Sequence, residues 1–93
     1  MRINLFNAAR QGDEVYENAV RDAAKATARR EHRSAVLTGW RPNPLFGSTD
    51  PADRHEAGYR WIADFEYPFP GTGKTALATY GVSPDGTARC WAD

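Results

Sequence analysis

Tyr59-Arg60-Trp61-Ile62-Ala63-Asp64-Phe65-Glu66-Tyr67 places a large or apolar side chain at every odd position and a charged or mixed one between. Side chains of an extended chain alternate between two faces, so this run predicts a strand over 58–67 with one aromatic face. Rings of that size need a smooth surface to cover them.

The sequence on either side supplies the rest of a small sheet. Pro68, Pro70, Gly71 and Gly73 form a turn, and Thr75-Ala76-Leu77-Ala78-Thr79-Tyr80-Gly81-Val82 reads as a second strand. Ser83-Pro84-Asp85-Gly86 has Pro and Gly where a four-residue turn takes them, and Thr87 to Trp91 completes a hairpin. Upstream, Ala35-Val36-Leu37-Thr38 leads into Trp40 as a strand over 34–40. Between the strands, 41–57 reads as a long irregular segment holding Pro42, Pro44 and Pro51, with Asp50 capping a helical turn that starts at Pro51.

The cover is a helix over 13–31. Val15, Tyr16, Ala19, Val20, Ala23 and Thr27 recur at spacings of three and four, a stripe made largely of Ala. Asp13 is placed to cap its start. Acids (Asp13, Glu14, Glu17) gather at the start and bases (Lys25, Arg29, Arg30, Arg33) at the end, which complements the helix dipole. Ile3, Leu5 and Phe6 fit either a brief edge strand or a tuck under this helix. The fold class expected is α+β: one N-terminal helix packed on a three- to four-stranded antiparallel sheet, with 1–93 a single small domain.

Composition narrows the function class. Twelve cations balance twelve acids, so no global field steers the chain toward nucleic acid or a membrane surface. Ten of the cations are Arg, the residue suited to bidentate pairing and to stacking on rings. The single cysteine, Cys90, permits no intrachain disulfide. The first residues lack the apolar core of a signal peptide, and no stretch approaches the length of a membrane span, so a reducing cytoplasm is expected.

Several segments resemble reaction or ligand motifs and fall short. Gly71-Thr72-Gly73-Lys74-Thr75 resembles the end of a phosphate-binding loop, but Pro68 stands where the first Gly belongs and a strand, not a helix, follows. Asp50, Asp53, His55 and Glu56 make a possible ligand cluster, read as a solvated turn with no metal. Cys90 as a nucleophile, with His32 or His55 as base, competes with Cys90 as a small core residue, and the latter is preferred. No catalytic residue and no cofactor is expected.

Binding features are stronger. Trp40-Arg41-Pro42-Asn43-Pro44-Leu45-Phe46 joins aromatics, an Arg and a Pro-stiffened backbone, the ingredients of an energetic hot spot, although Trp40, Leu45 and Phe46 would equally serve as caps on a thin core. Phe69, in Tyr67-Pro68-Phe69-Pro70, is a smaller site of the same kind. Arg29, Arg30 and Arg33 form the densest positive run, facing either phosphates or an acidic protein. The expectation is a non-enzymatic protein-binding module, monomeric or homodimeric, whose partner is a host protein or complex. Small inhibitors of host defence carried by phages and mobile elements, anti-CRISPR proteins among them, are of this kind. A nucleic-acid-binding accessory protein using Arg29 to Arg33 and Arg41, with Trp40 for stacking, is the alternative. A metal-dependent hydrolase using His55 with Asp50 or Asp53 ranks last.

Overall fold

The computed structural model describes residues 13–91. The readings of Ile3, Leu5 and Phe6, and the capping role of the Asp13 side chain, lie outside the described residues. Helix α1 (Asp13–Glu31) is followed by strands β1 (Val36–Pro42), β2 (Trp61–Phe69), β3 (Lys74–Val82) and β4 (Ala88–Cys90). The strands form one antiparallel sheet in the order β1-β2-β3-β4, a meander in which each strand pairs with its chain neighbour. This is the expected α+β arrangement, with four strands.

The aromatic row of β2 carries the core. Trp61, Ala63 and Phe65 are buried, together with Tyr80 and Val82 of β3 and Ala88 of β4. Above them lie Val20, Ala24 and Ala28 of α1, all fully buried. Val20 of the predicted stripe is in the core and Tyr16 packs against it, but the rest of the stripe is rotated: Val15 is exposed, while Ala19, Ala23 and Thr27 are only half-buried. Residues 20, 24 and 28 follow one i,i+4 row, and two Ala in that row let the helix sit close to the rings. Polar bonds fix the helix along its length. The Tyr16 hydroxyl donates to the Pro84 carbonyl at the start of α1, and the Trp40 indole donates to Glu17 Oε2 at 2.7 Å. At its end the Tyr80 hydroxyl donates to Glu31 Oε1 at 2.6 Å.

β1 starts and ends two residues later than the sequence suggests, so Arg41 and Pro42 belong to the sheet. A register shift between Leu37 and Gly39 explains this. The bulge at Thr38 lets Leu37 and Trp40, three positions apart, both pack toward the core, which strict alternation forbids. Pro42 is tolerated because β1 is an edge strand. Pro68 is tolerated for a related reason: β1 begins at Val36, opposite Glu66, so β2 has a neighbour on one side only at Pro68.

Tyr59 departs from the predicted row. The strand begins at Trp61, after a bend at Arg60, and the buried Tyr59 ring lies over Gly81. Gly81 alternates with Tyr80 and Val82, which face the helix, so Tyr59 covers the opposite sheet face. The segment 43–59 is held there by Asn43, the one buried polar residue among the described residues. Its Nδ2 donates to the carbonyls of Glu56 and Tyr59 at 2.8 and 2.7 Å, and its Oδ1 accepts from the Leu45 N–H at 3.1 Å. This long connection is stitched to the sheet rather than hanging from it.

Candidate partner-binding surfaces

The eight residues singled out as partner-binding do not form one surface. Trp40 is half-buried, with its ring stacked on Trp61 at 5.5 Å and the Arg21 guanidinium over it at 5.1 Å. Arg21 in turn pairs with Glu17, the carboxylate that accepts the Trp40 indole bond. The ring and its one donor are engaged, so Trp40 acts as a support for the core and not as a free anchor.

Arg41 is exposed and pairs with Asp64 Oδ2 at 2.5 Å, while Asp64 Oδ1 accepts from Thr79 at 2.8 Å. The three groups lie across β1, β2 and β3 on the face away from the helix. Partial burial alone would raise the Asp64 carboxyl, but the hydrogen bonds from Thr79 and Arg41 and the Arg41 charge outweigh it and hold the group below its ordinary value of 3.8. A carboxyl depressed in the folded state stabilises the fold above its unfolded value, about 3.9, and loses that contribution as pH falls through the folded value. Acid titration of stability is therefore expected to be shallower below about pH 4 for Asp64→Asn than for the natural chain. Denaturant midpoints at neutral and acid pH check this; equal slopes for the two proteins would remove Asp64 from the account.

Leu45 and Phe46 lie beyond Pro42, at the end of the sheet where β2 begins; Leu45 is half-buried and Phe46 exposed. Phe69 closes β2 at the other end. Eight residue steps of strand separate Trp61 from Phe69, roughly 26 Å, so Phe69 and the Leu45-Phe46 pair cannot join one small footprint.

Arg29, Arg30 and Arg33 belong to the Phe69 end. All three are exposed. Arg29 Nε reaches the Ala35 carbonyl at 3.4 Å and Arg30 the Thr27 hydroxyl at 3.3 Å, while among the described residues none of the three pairs with a carboxylate. The adjoining His32 ring stacks on Tyr67 at 4.0 Å, two residues before Phe69. That contact brings the basic end of α1 against the β2–β3 hairpin.

Sequence reasoning missed two residues here. Val36 and Leu77 flank Glu66 in one row across β1, β2 and β3. They are 59% and 72% exposed, and Phe69 is 51% exposed. The signal available was the position of Val36 and Leu77 opposite the parity of the buried ring row, but it needs the register to be read.

The motifs that fell short take ordinary structural roles. Gly71 and Gly73 adopt positive φ in the β2–β3 turn, and β3 starts at Lys74. Asp50 Oδ1 caps the 3-10 turn Pro51–Asp53 through the Ala52 N–H, and Asp53 accepts from Ser48 at 2.7 Å. No three His, Cys, Asp or Glu side chains converge among the described residues. Cys90 is exposed on the short edge strand β4, not part of the core as expected. No helix among the described residues is long and apolar enough to cross a membrane. Comparison with known proteins finds no family model, no curated protein and no solved structure that this chain matches.

Proposed function

We propose that this protein is a non-enzymatic binding module that docks its hairpin end on another protein. The supporting observation is that one end of the sheet exposes Phe69 and Lys74 with Arg29, Arg30 and Arg33 on the helix side, and Val36 and Leu77 around its rim on the other face. Apolar side chains left in water at the same end of the fold as Arg residues that pair with no carboxylate among the described residues have the composition of a protein-recognition patch, with burial of the former supplying affinity and the latter supplying orientation. The partner surface that complements it is acidic with an apolar centre. An inhibitor of a host complex, of the anti-CRISPR kind, is the biological setting we favour for a module of this size.

The nucleic-acid reading shares the same Arg run. It loses support because the ring meant for base stacking, Trp40, is already stacked and capped, and Arg41 is paired. Co-purification from nuclease-treated native-host extract is expected to return a stoichiometric protein. Arg30→Glu with Arg33→Glu, and separately Leu77→Asp, should each weaken that complex by about tenfold or more, the scale of a lost hot-spot contact. Phe46→Ala, at the far end, should leave it unchanged. Binding abolished by nuclease, or a complex indifferent to all three hairpin-end changes, would defeat the proposal.

A further inference from the structure

At the opposite end of the sheet, between the segment 54–59 and the β3–β4 turn, lies a cleft of about 350 Å3. Its size is that of a small-molecule site. Both walls are fixed. Asn43 holds the first through the Glu56 and Tyr59 carbonyls. In the second, Ser83 N–H donates to Thr87 O at 2.8 Å, Gly86 N–H to Ser83 O at 2.9 Å and Thr87 N–H to Asp85 Oδ1 at 2.9 Å. Tyr59 joins the lining, with its ring pressed on Gly81.

The polar groups in this cleft are of two kinds. Arg54, Arg89 and His55 are nitrogen donors, and neither Arg pairs with a carboxylate among the described residues. Ser83 and Thr87 add hydroxyls. Two guanidiniums and two hydroxyls lining one cleft match a phosphate, which accepts several hydrogen bonds at once and binds Arg bidentately. Asp85 is the exception. It repels a bare anion, and it favours a ligand that also brings a hydroxyl to donate. The Tyr59 ring is buried, so it offers no open face on which a nucleobase would stack. We propose that the cleft binds a small sugar phosphate, with Arg54 and Arg89 holding the phosphate and Asp85 accepting from a sugar hydroxyl. This site lies at the other end of the strands from the proposed docking patch and stands independently of it.

Calorimetric and NMR titration of the full chain with ribose 5-phosphate, ribose and inorganic phosphate tests the assignment. Saturable binding of ribose 5-phosphate is expected, with ribose not binding and inorganic phosphate binding more weakly. Arg54→Ala and Arg89→Ala should each reduce ribose 5-phosphate affinity by about tenfold, the size of a charge-assisted contact. Asp85→Asn keeps the oxygen that accepts from Thr87, and it should narrow the gap between ribose 5-phosphate and inorganic phosphate. Lys25→Ala, on α1, should change nothing. No saturable binding, or binding that survives both cleft Arg changes, would overturn the site; equal affinity for inorganic phosphate and ribose 5-phosphate would overturn the role of Asp85.

Discussion

Phe65→Ala is expected to strip the chain of much of its stability and lower its urea midpoint steeply, while Phe65→Leu is expected to change the midpoint little. Phe65 is fully buried at the centre of β2, edge-on to Tyr80 with ring centroids 5.6 Å apart. It shares one buried cluster with Ala24 and Ala28, whose side chains are too short to move into a void. Removing a ring from such a site costs about 3–5 kcal/mol. A domain of this size holds about 5–10 kcal/mol in total, so the loss takes up much of what there is. Leu refills most of the volume, and a swap of that kind costs about 1.5 kcal/mol or less. Urea melts followed by Trp fluorescence measure both, since Trp61 and Trp40 lie in or against the same cluster. A small loss for Phe65→Ala would mean that α1 closes down on the gap, and that the Ala row is not a rigid seat.

The contrast between what was legible and what was not follows from the range of each signal. Helix α1 and strands β2 and β3 were readable because their periodicities are carried by adjacent residues. The face of α1 was legible only in part. The predicted stripe contains Tyr16 and Val20, which do meet the core, but its continuation through Ala24 and Ala28 rather than Ala23 and Thr27 is decided by distant partners: Pro84 for Tyr16, Trp40 for Glu17 and Tyr80 for Glu31. The end of β1 was hidden by the bulge at Thr38, which breaks alternation, and by Pro42, which reads as a loop residue until the edge position is known. Trp40 read equally as an anchor and as a core cap because it stands beside Pro42 and Pro44; the indole bond and the stack on Trp61 that decide for the cap are made across the fold. The basic run was legible as exposed, whereas its apolar neighbours Val36 and Leu77 needed the register. Arg54 and Arg89 stand thirty-five positions apart, and nothing local links them.

Gly81 is the local signal that would have linked them, since a glycine inside a strand often marks a close approach, and it carries the second large effect. A Cβ built on Gly81 meets Tyr59 Cγ and Cδ2 at 2.5 Å and Cδ1 at 2.8 Å, closer than carbon atoms pack. The ring has little room to retreat along the chain. The Tyr59 N–H donates to Glu56 O at 3.1 Å, and its carbonyl accepts from Asn43 at 2.7 Å. Gly81→Ala is therefore expected to cost about 1–3 kcal/mol as overpacking, and Gly81→Val more. The cost falls on the segment 43–59, which must lift from the sheet, and not on the helix side, where Tyr80 and Val82 keep their neighbours. Hydrogen exchange should accordingly rise at Gly47, Ala57 and Tyr59, whose N–H groups are bonded within that segment, and stay low along α1. Combining Gly81→Ala with Tyr59→Ala removes the colliding ring, so the double variant should be less destabilised than the two single effects added together. Additive losses would show that the ring and the glycine do not meet in solution, and that the wall of the cleft is built some other way.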